Sequence, residues 1–144
     1  MSITQADHDI DIKLLIRKAL EARKMAYTPY SEYNVGAALL TADGKIYSGC
    51  NIENASYSVT NCAERTAFFK AVSEGEHDFK AIAIVGGKEE NPTDYAWPCG
   101  VCRQVMREFC DPKTFRVITA VSEEQFVDKT LEEMLPDSFG PNNL

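Results

Sequence analysis

Histidine is nearly absent from this sequence. Only His8 and His77 occur, and neither lies in a ligand-spaced cluster, so a metal centre built on several imidazoles is not expected. Positive charge is also scarce. Lys and Arg number 15 against 22 Asp and Glu, a net charge of −7. Nucleic-acid binders carry a basic face, and this balance opposes that role. No apolar run approaches the length of about 18 residues that a membrane span requires, so no membrane partner is expected. The start, Met1-Ser2-Ile3-Thr4-Gln5, has neither a basic nor an apolar leader segment, and a cytoplasmic location is expected. Repeats, low-complexity tracts and linkers are missing, so residues 1–144 read as one domain, with a polar tail from about 136. The five cysteines are an odd number. Without a secretory leader they fit reduced thiols or metal ligands better than disulfides.

What is present alternates between two periods. Ile12, Leu15, Ile16, Ala19 and Leu20 form one apolar helical stripe, expected to run until Pro29 stops it. Tyr33–Leu40 and Ile46–Ile52 read as strands joined by an Asp43-Gly44 hairpin turn. Asn51–Asn61 is a polar loop. A helix is expected from about Cys62 to Ser73, with Gly75 at its end. Lys80–Gly87 reads as a buried strand and Lys88–Trp97 as a charged loop. A third helix is expected to start near Pro98, a residue favoured at the first helical position. Val101, Val105 and Phe109 should be its buried stripe. Phe115–Val121 is another strand, with one more short strand near Phe126-Val127. Thr130–Leu135 is a last short helix. Strands alternating with helices predict an α/β fold: three layers, α/β/α, around a mixed sheet of about five strands.

The chemistry concentrates in two short stretches, Asn61-Cys62-Ala63-Glu64-Arg65 and Pro98-Cys99-Gly100-Val101-Cys102. Three cysteine thiolates can hold one zinc and leave its fourth position open, the arrangement of catalytic zinc sites. Cys99 and Cys102 stand three apart at a helix start, so both sulfurs face the free N–H groups of the first turn. Cys62 opens a helix too. Three thiolates outweigh the two charges of Zn²⁺, and Arg65 can offset the excess. Glu64, two residues beyond Cys62, is placed to carry protons at the metal. The pattern C-x-E … P-C-x-x-C is the signature of zinc-dependent nucleoside and nucleobase deaminases.

Plainer readings compete. A C-x-x-C pair can be a redox motif. Cys50 or Cys110 can complete a structural four-cysteine zinc site, although both read more simply as small buried fillers. Glu64 can form a capping box with Asn61.

Over most of its length, about Leu15 to Pro141, the sequence resembles the cytidine deaminases of the small three-cysteine type. The likeness lies in Pro29-Tyr30-Ser31, Val35-Gly36-Ala37-Ala38, Gly49-Cys50-Asn51-Ile52-Glu53-Asn54-Ala55, Cys62-Ala63-Glu64-Arg65, Pro98-Cys99-Gly100-Val101-Cys102-Arg103-Gln104 and Leu135-Pro136-Asp137-Ser138-Phe139-Gly140. The resemblance implies one zinc per chain on Cys62, Cys99 and Cys102, with Glu64 as proton shuttle. It implies that Asn51 and Glu53 bind ribose and that Tyr33, where the family usually has Phe, lies against the nucleoside. It also implies a homotetramer whose sites are shared, with Ala55, Tyr57 and Phe139 reaching a neighbouring subunit's site. The implied reaction turns cytidine or deoxycytidine into uridine or deoxyuridine plus ammonia, in pyrimidine salvage. Trp97 departs from the small residue the family places before Pro-Cys. Three rivals stay open here: a deaminase for a cytosine-bearing antibiotic, a nucleic-acid editor, and a zinc-binding module without activity. The Phe139 tail opposes the first, and acidity and short length oppose the second.

Overall fold

The computed structural model describes residues 10–144; the Met1–Gln5 start and His8 lie outside the described residues. Helix α1 (Ile12–Arg23) is capped by the Asp11 carboxylate, which accepts the Leu14 N–H. Its apolar stripe buries Leu15, Ile16 and Ala19. The helix stops at Arg23, well before Pro29. The chain turns away there because Tyr27 pairs with the segment after the second strand: its N–H donates to Asn51 O and its carbonyl accepts from Glu53 N.

Strands β1 (Asn34–Thr41) and β2 (Ile46–Cys50) form the expected antiparallel hairpin. Gly44 in its turn has φ +95°, a conformation that suits glycine. Strand β2 is shorter than its apolar run, since Ile52 leaves it to bridge Tyr27 and Asn61. Helix α2 (Ala63–Ser73) follows, then β3 (Phe79–Gly87), helix α3 (Gly100–Phe109), β4 (Arg116–Ala120), β5 (Phe126–Thr130) and the one-turn helix α4 (Leu131–Met134). Thr130 and Glu133 cap α4 reciprocally.

The sheet order is β2-β1-β3-β4-β5. Only β3 and β4 run parallel; the other pairs are antiparallel. Alternate residues of the same strands feed two cores, the period-2 consequence of the pleat. Ala37, Leu39, Ile82, Ile84 and Val117 pack beneath α2, α3 and α4 around Phe68. Ala38, Leu40, Ala83, Val85 and Ile118 pack beneath α1. The expected three layers and five strands are therefore what the chain builds.

Two expectations about α3 need correction. Its first helical residue is Gly100, two positions beyond Pro98, and Cys99 is the cap, with its sulfur accepting the Cys102 N–H at 3.5 Å. Its buried stripe is Cys102 and Met106. Val101 is 58% exposed, and Val105 and Phe109 pack only partly against the core. The stripe is rotated because the helix must turn Cys102 inward, beside the sulfur of Cys99.

Candidate active site

Two close backbone contacts set where the helices begin. A Cβ on Gly49 of β2 would lie 2.6 Å from Ala63 O and from Ala67 N, so α2 rests directly on the strand backbone. Thr66 Oγ1 then donates to Cys50 O at 3.0 Å. Cys62 becomes the N-cap residue, with extended φ/ψ of −73° and 155°. Glu64 is thereby the second helical residue, one short of the capping-box position, and no capping box with Asn61 forms. Asn61 instead donates to Thr66 Oγ1. At the other helix, Arg103 Nε donates to Pro98 O at 2.7 Å and fixes the turn that leads into Cys99.

These two helix starts bring three sulfurs together. Cys62 Sγ lies 3.8 Å from Cys99 Sγ, which lies 3.5 Å from Cys102 Sγ. Tetrahedral zinc with Zn–S bonds of about 2.3 Å separates its sulfurs by about 3.8 Å, so the donor set fits that ion. Among the described residues this is the only such cluster of metal-ligating side chains. Cys50 and Cys110 stay outside it, so a four-cysteine structural site finds no support. Cys110 is a buried filler as expected, while Cys50 is only half-buried.

Arg65 Nη2 donates to Cys62 Sγ at 3.2 Å. The hydrogen bond from Cys102, reinforced by that guanidinium, draws the Cys62 thiol below its usual range against burial, which opposes it. These contacts favour the thiolate form of Cys62. Glu64 is 4% exposed. Burial pushes its carboxyl up to about 7, and the Cys62 thiolate adds to the rise. A carboxyl that takes and releases a proton near neutrality suits general acid–base work.

A cavity of about 350 Å³ opens onto this cluster, a volume suited to a small ligand. Cys62, Glu64 and Cys99 line one part of it, and Tyr33, Asn51 and Glu53 another. Asn51 Oδ1 accepts from Val35 N at 2.9 Å while its Nδ2 donates to Tyr33 O at 2.8 Å. One lone pair and one N–H remain for a ligand. Glu53 accepts from the backbone N–H groups of Tyr30 and Ser31 at 2.9 and 3.1 Å and from the Ser31 hydroxyl. The Ser31 hydroxyl, more than any other contact, holds its carboxyl below the usual range. Trp97 also lines the cavity; its ring packs 5.8 Å from Tyr95 with Lys129 Nζ 5.6 Å from its centre.

A family model described as the cytidine and deoxycytidylate deaminase zinc-binding region matches residues 10–118. The chain belongs to this family. A cytidine deaminase of Sporosarcina psychrophila is 49% identical over 94% of this chain and 96% of its own length. A probable cytidine deaminase of Dictyostelium discoideum is 39% identical over 93% of this chain and 87% of its own. Among solved structures, the cytidine deaminase of Burkholderia pseudomallei superposes with a TM-score of 0.79 at 46% identity, covering 88% of this chain and 97% of that one. That of Mycobacterium tuberculosis superposes with a TM-score of 0.78 at 36% identity, covering 92% and 99%.

Ala55, Tyr57 and Phe139 are not among the side chains that line this cavity, although Tyr57 borders an adjoining hollow with Ser31 and Glu53. Ala55 is exposed, and Tyr57, 74% exposed, lies edge-on to Tyr30 at 5.9 Å. Phe139 is 59% exposed, with its backbone fixed: its carbonyl accepts from Gln104 Nε2 at 2.9 Å. Arg107 adds bonds to the Ser138 hydroxyl and to Asn142. A Cβ on Gly140 would fall 2.4 Å from the Arg107 guanidinium carbon, so the tail lies directly against that guanidinium. This latch on α3, made by Gln104 and Arg107, lies outside the sequence reading.

Proposed function

We propose that this chain hydrolyses the exocyclic amine of cytidine and deoxycytidine, giving uridine or deoxyuridine and ammonia, as a cytoplasmic enzyme of pyrimidine salvage. Residues 1–144 act as one catalytic domain, the tail beginning at about 136. The carrying observation is the meeting of three sulfurs at two helix starts with a buried Glu64, in one cavity with Asn51 and Glu53. Cys62, Cys99 and Cys102 would hold one zinc ion, whose chemical contribution is to bring the pKa of a water toward neutrality. Glu64 takes a proton from the attacking water and hands it to N3 of the ring. It then takes the second proton from the hydroxyl now on C4 and hands it to the amine, which leaves as ammonia as the C4–N bond breaks and the C4 carbonyl forms. Its burial keeps solvent away from that exchange. Asn51 and Glu53 bind the sugar hydroxyls with the N–H and lone pairs their own structural bonds leave free. The test is ammonia release from cytidine, deoxycytidine, cytosine and the cytosine-bearing antibiotic blasticidin S, beside elemental analysis for zinc. Turnover of both nucleosides is expected; zinc without turnover of either overturns the reading.

Glu53→Ala is expected to lower kcat/KM for cytidine by roughly ten- to a hundredfold, the effect of leaving sugar hydroxyls unpaired. Free cytosine has no sugar and should lose little. Equal losses on both would move Glu53 from recognition to support of the Tyr30-Ser31 turn that it holds.

Arg65→Gln is expected to leave the fold intact and speed the loss of zinc to a chelator. Arg65 supplies the cation that the thiolate-rich site lacks, and a hydrogen bond to a charged sulfur is worth roughly 1.5–3 kcal/mol. Unchanged metal retention would reduce Arg65 to an ordinary helix residue.

A homotetramer with shared sites is the proposed assembly. Tyr27, Ile52, Tyr57 and Val59 are exposed on connected segments at the edge of the cavity-bearing face. Contiguous exposed apolar side chains of this kind mark association surfaces. Phe139 is exposed and lines no part of its own chain's cavity, so it is free to serve another chain, while Tyr57 stands beside Ser31 and Glu53 at the cavity's rim, where a neighbouring chain can meet it.

A further inference from the structure

Arg23, the last residue of α1, is a buried arginine with no carboxylate partner among the described residues. It is 7% exposed. Among the described residues its guanidinium donates to backbone carbonyls alone. Nε donates to Asn34 O at 3.0 Å, Nη1 to Glu90 O at 2.8 Å, and Nη2 to Gly87 O at 2.8 Å and to Glu89 O. The side chain reaches these groups because α1 lies on the backbone of β1: a Cβ on Gly36 would fall 2.0 Å from Ala19 O and 2.5 Å from Arg23 N.

The four carbonyls belong to two places that matter to the cavity on the other side of the sheet. Asn34 opens β1, between Tyr33 and Val35, the two residues that the Asn51 side chain holds. Gly87 closes β3, and Glu89 and Glu90 start the loop that runs to Trp97 and Cys99. Asn34 and Gly87 are the last paired residues of the β1–β3 ladder. Beyond them the sheet no longer fixes the spacing of the two segments. Asn34 and Gly87 are half-buried and Glu89 and Glu90 exposed, and it is the buried guanidinium that draws their carbonyls together, since it offers five N–H groups in a rigid plane. Lysine offers three from a point and cannot reproduce the fork.

We infer that Arg23 is a positioning residue for the reaction, clamping the Tyr33 side and the Trp97 side of the substrate cavity to one another from the opposite face of the sheet. This inference rests on the proposed deaminase activity. Arg23 touches neither Cys62 nor Glu64, so its loss widens the cavity without removing the proton carrier. Substrate binding should suffer more than the chemical step.

Arg23→Lys keeps the positive charge at the end of α1 and removes only the fork. It is expected to bind zinc like the wild type, to raise KM for cytidine on the order of tenfold, and to hold kcat within about threefold. A cap that merely stabilises would lower Tm and leave KM where it was, and that result overturns the inference. Wild-type turnover, measured alongside, separates the two failures. No turnover of cytidine overturns the functional reading and the clamp with it, whereas turnover with an unchanged KM in Arg23→Lys overturns the clamp alone. Should Arg23→Lys not fold, the single tryptophan of the wild type decides. The fluorescence anisotropy of Trp97, which stands on the clamped loop, is expected to be high before any nucleoside is added and little changed by uridine. A low anisotropy that rises only with uridine shows walls assembled by the ligand and overturns the clamp.

Discussion

Glu64→Gln is expected to keep its zinc and lose nearly all turnover. Glutamine has the same length and shape, so α2 should still seat its second residue in the buried position that Glu64 holds. The amide is neutral, which also spares the site a carboxyl whose ionisation burial opposes. The folded protein should therefore be at least as stable, and the three sulfurs should stay where they are. What disappears is the only group in the cavity's metal end able to accept a proton and return it. Positioned acid–base groups contribute on the order of 10²–10⁴-fold each. Glu64 would serve several transfers in one cycle, so the loss should lie at the upper end of that range or beyond. Zinc analysis beside ammonia release checks both halves. A folded Glu64→Gln protein without zinc would make Glu64 part of the metal's own support. One with near-normal turnover would remove it from the mechanism.

That the site was legible in the sequence at all follows from local geometry. Cysteines three apart at a helix start must share one side of the first turn, and Cys99 and Cys102 do. The partner stretch was legible because Cys62 also begins a helix. The element order and the five strands followed from periodicity, which reports the two faces of a strand or helix directly. What was misread depends on contacts between elements. Helix α3 turns Cys102 inward at the expense of Val101, and only the neighbouring sulfurs dictate that rotation. The end of α1 at Arg23 is set by the pairing of Tyr27 with Asn51 and Glu53, far along the chain. Arg23 itself reads in sequence as one more charged residue on an amphipathic helix. Its carbonyl partners lie between 11 and 67 positions away, and backbone acceptors leave no trace in residue identity. The tail latch is hidden for the same reason, because Gln104 reaches a backbone oxygen of Phe139.

The tail yields the second large effect. Phe139 is held out by Gln104 and Arg107 through the atoms around it, while its ring is left exposed. A rigid mount for an aromatic ring that packs on nothing of its own chain's cavity is what a donated side chain requires. A pyrimidine presents a flat π-face, and stacking on an aromatic ring is worth roughly 1–3 kcal/mol per base. Phe139→Ala should therefore lose about tenfold or more in activity. Glu64→Ala chains should be almost inactive, yet they carry an intact Phe139. If the two variants are refolded together in equal amounts, chance assembly gives about one-quarter of sites a Glu64 from one chain and a Phe139 from another. Activity should then approach about one-quarter of wild type. The separate variants at the same total protein would sum to about one-twentieth, half the chains working at a tenth of full rate. The fivefold gap is easily read in an ammonia assay. A mixture proven to contain hybrid oligomers, yet giving only the lower figure, would return Phe139 to its own chain and end the shared-site reading.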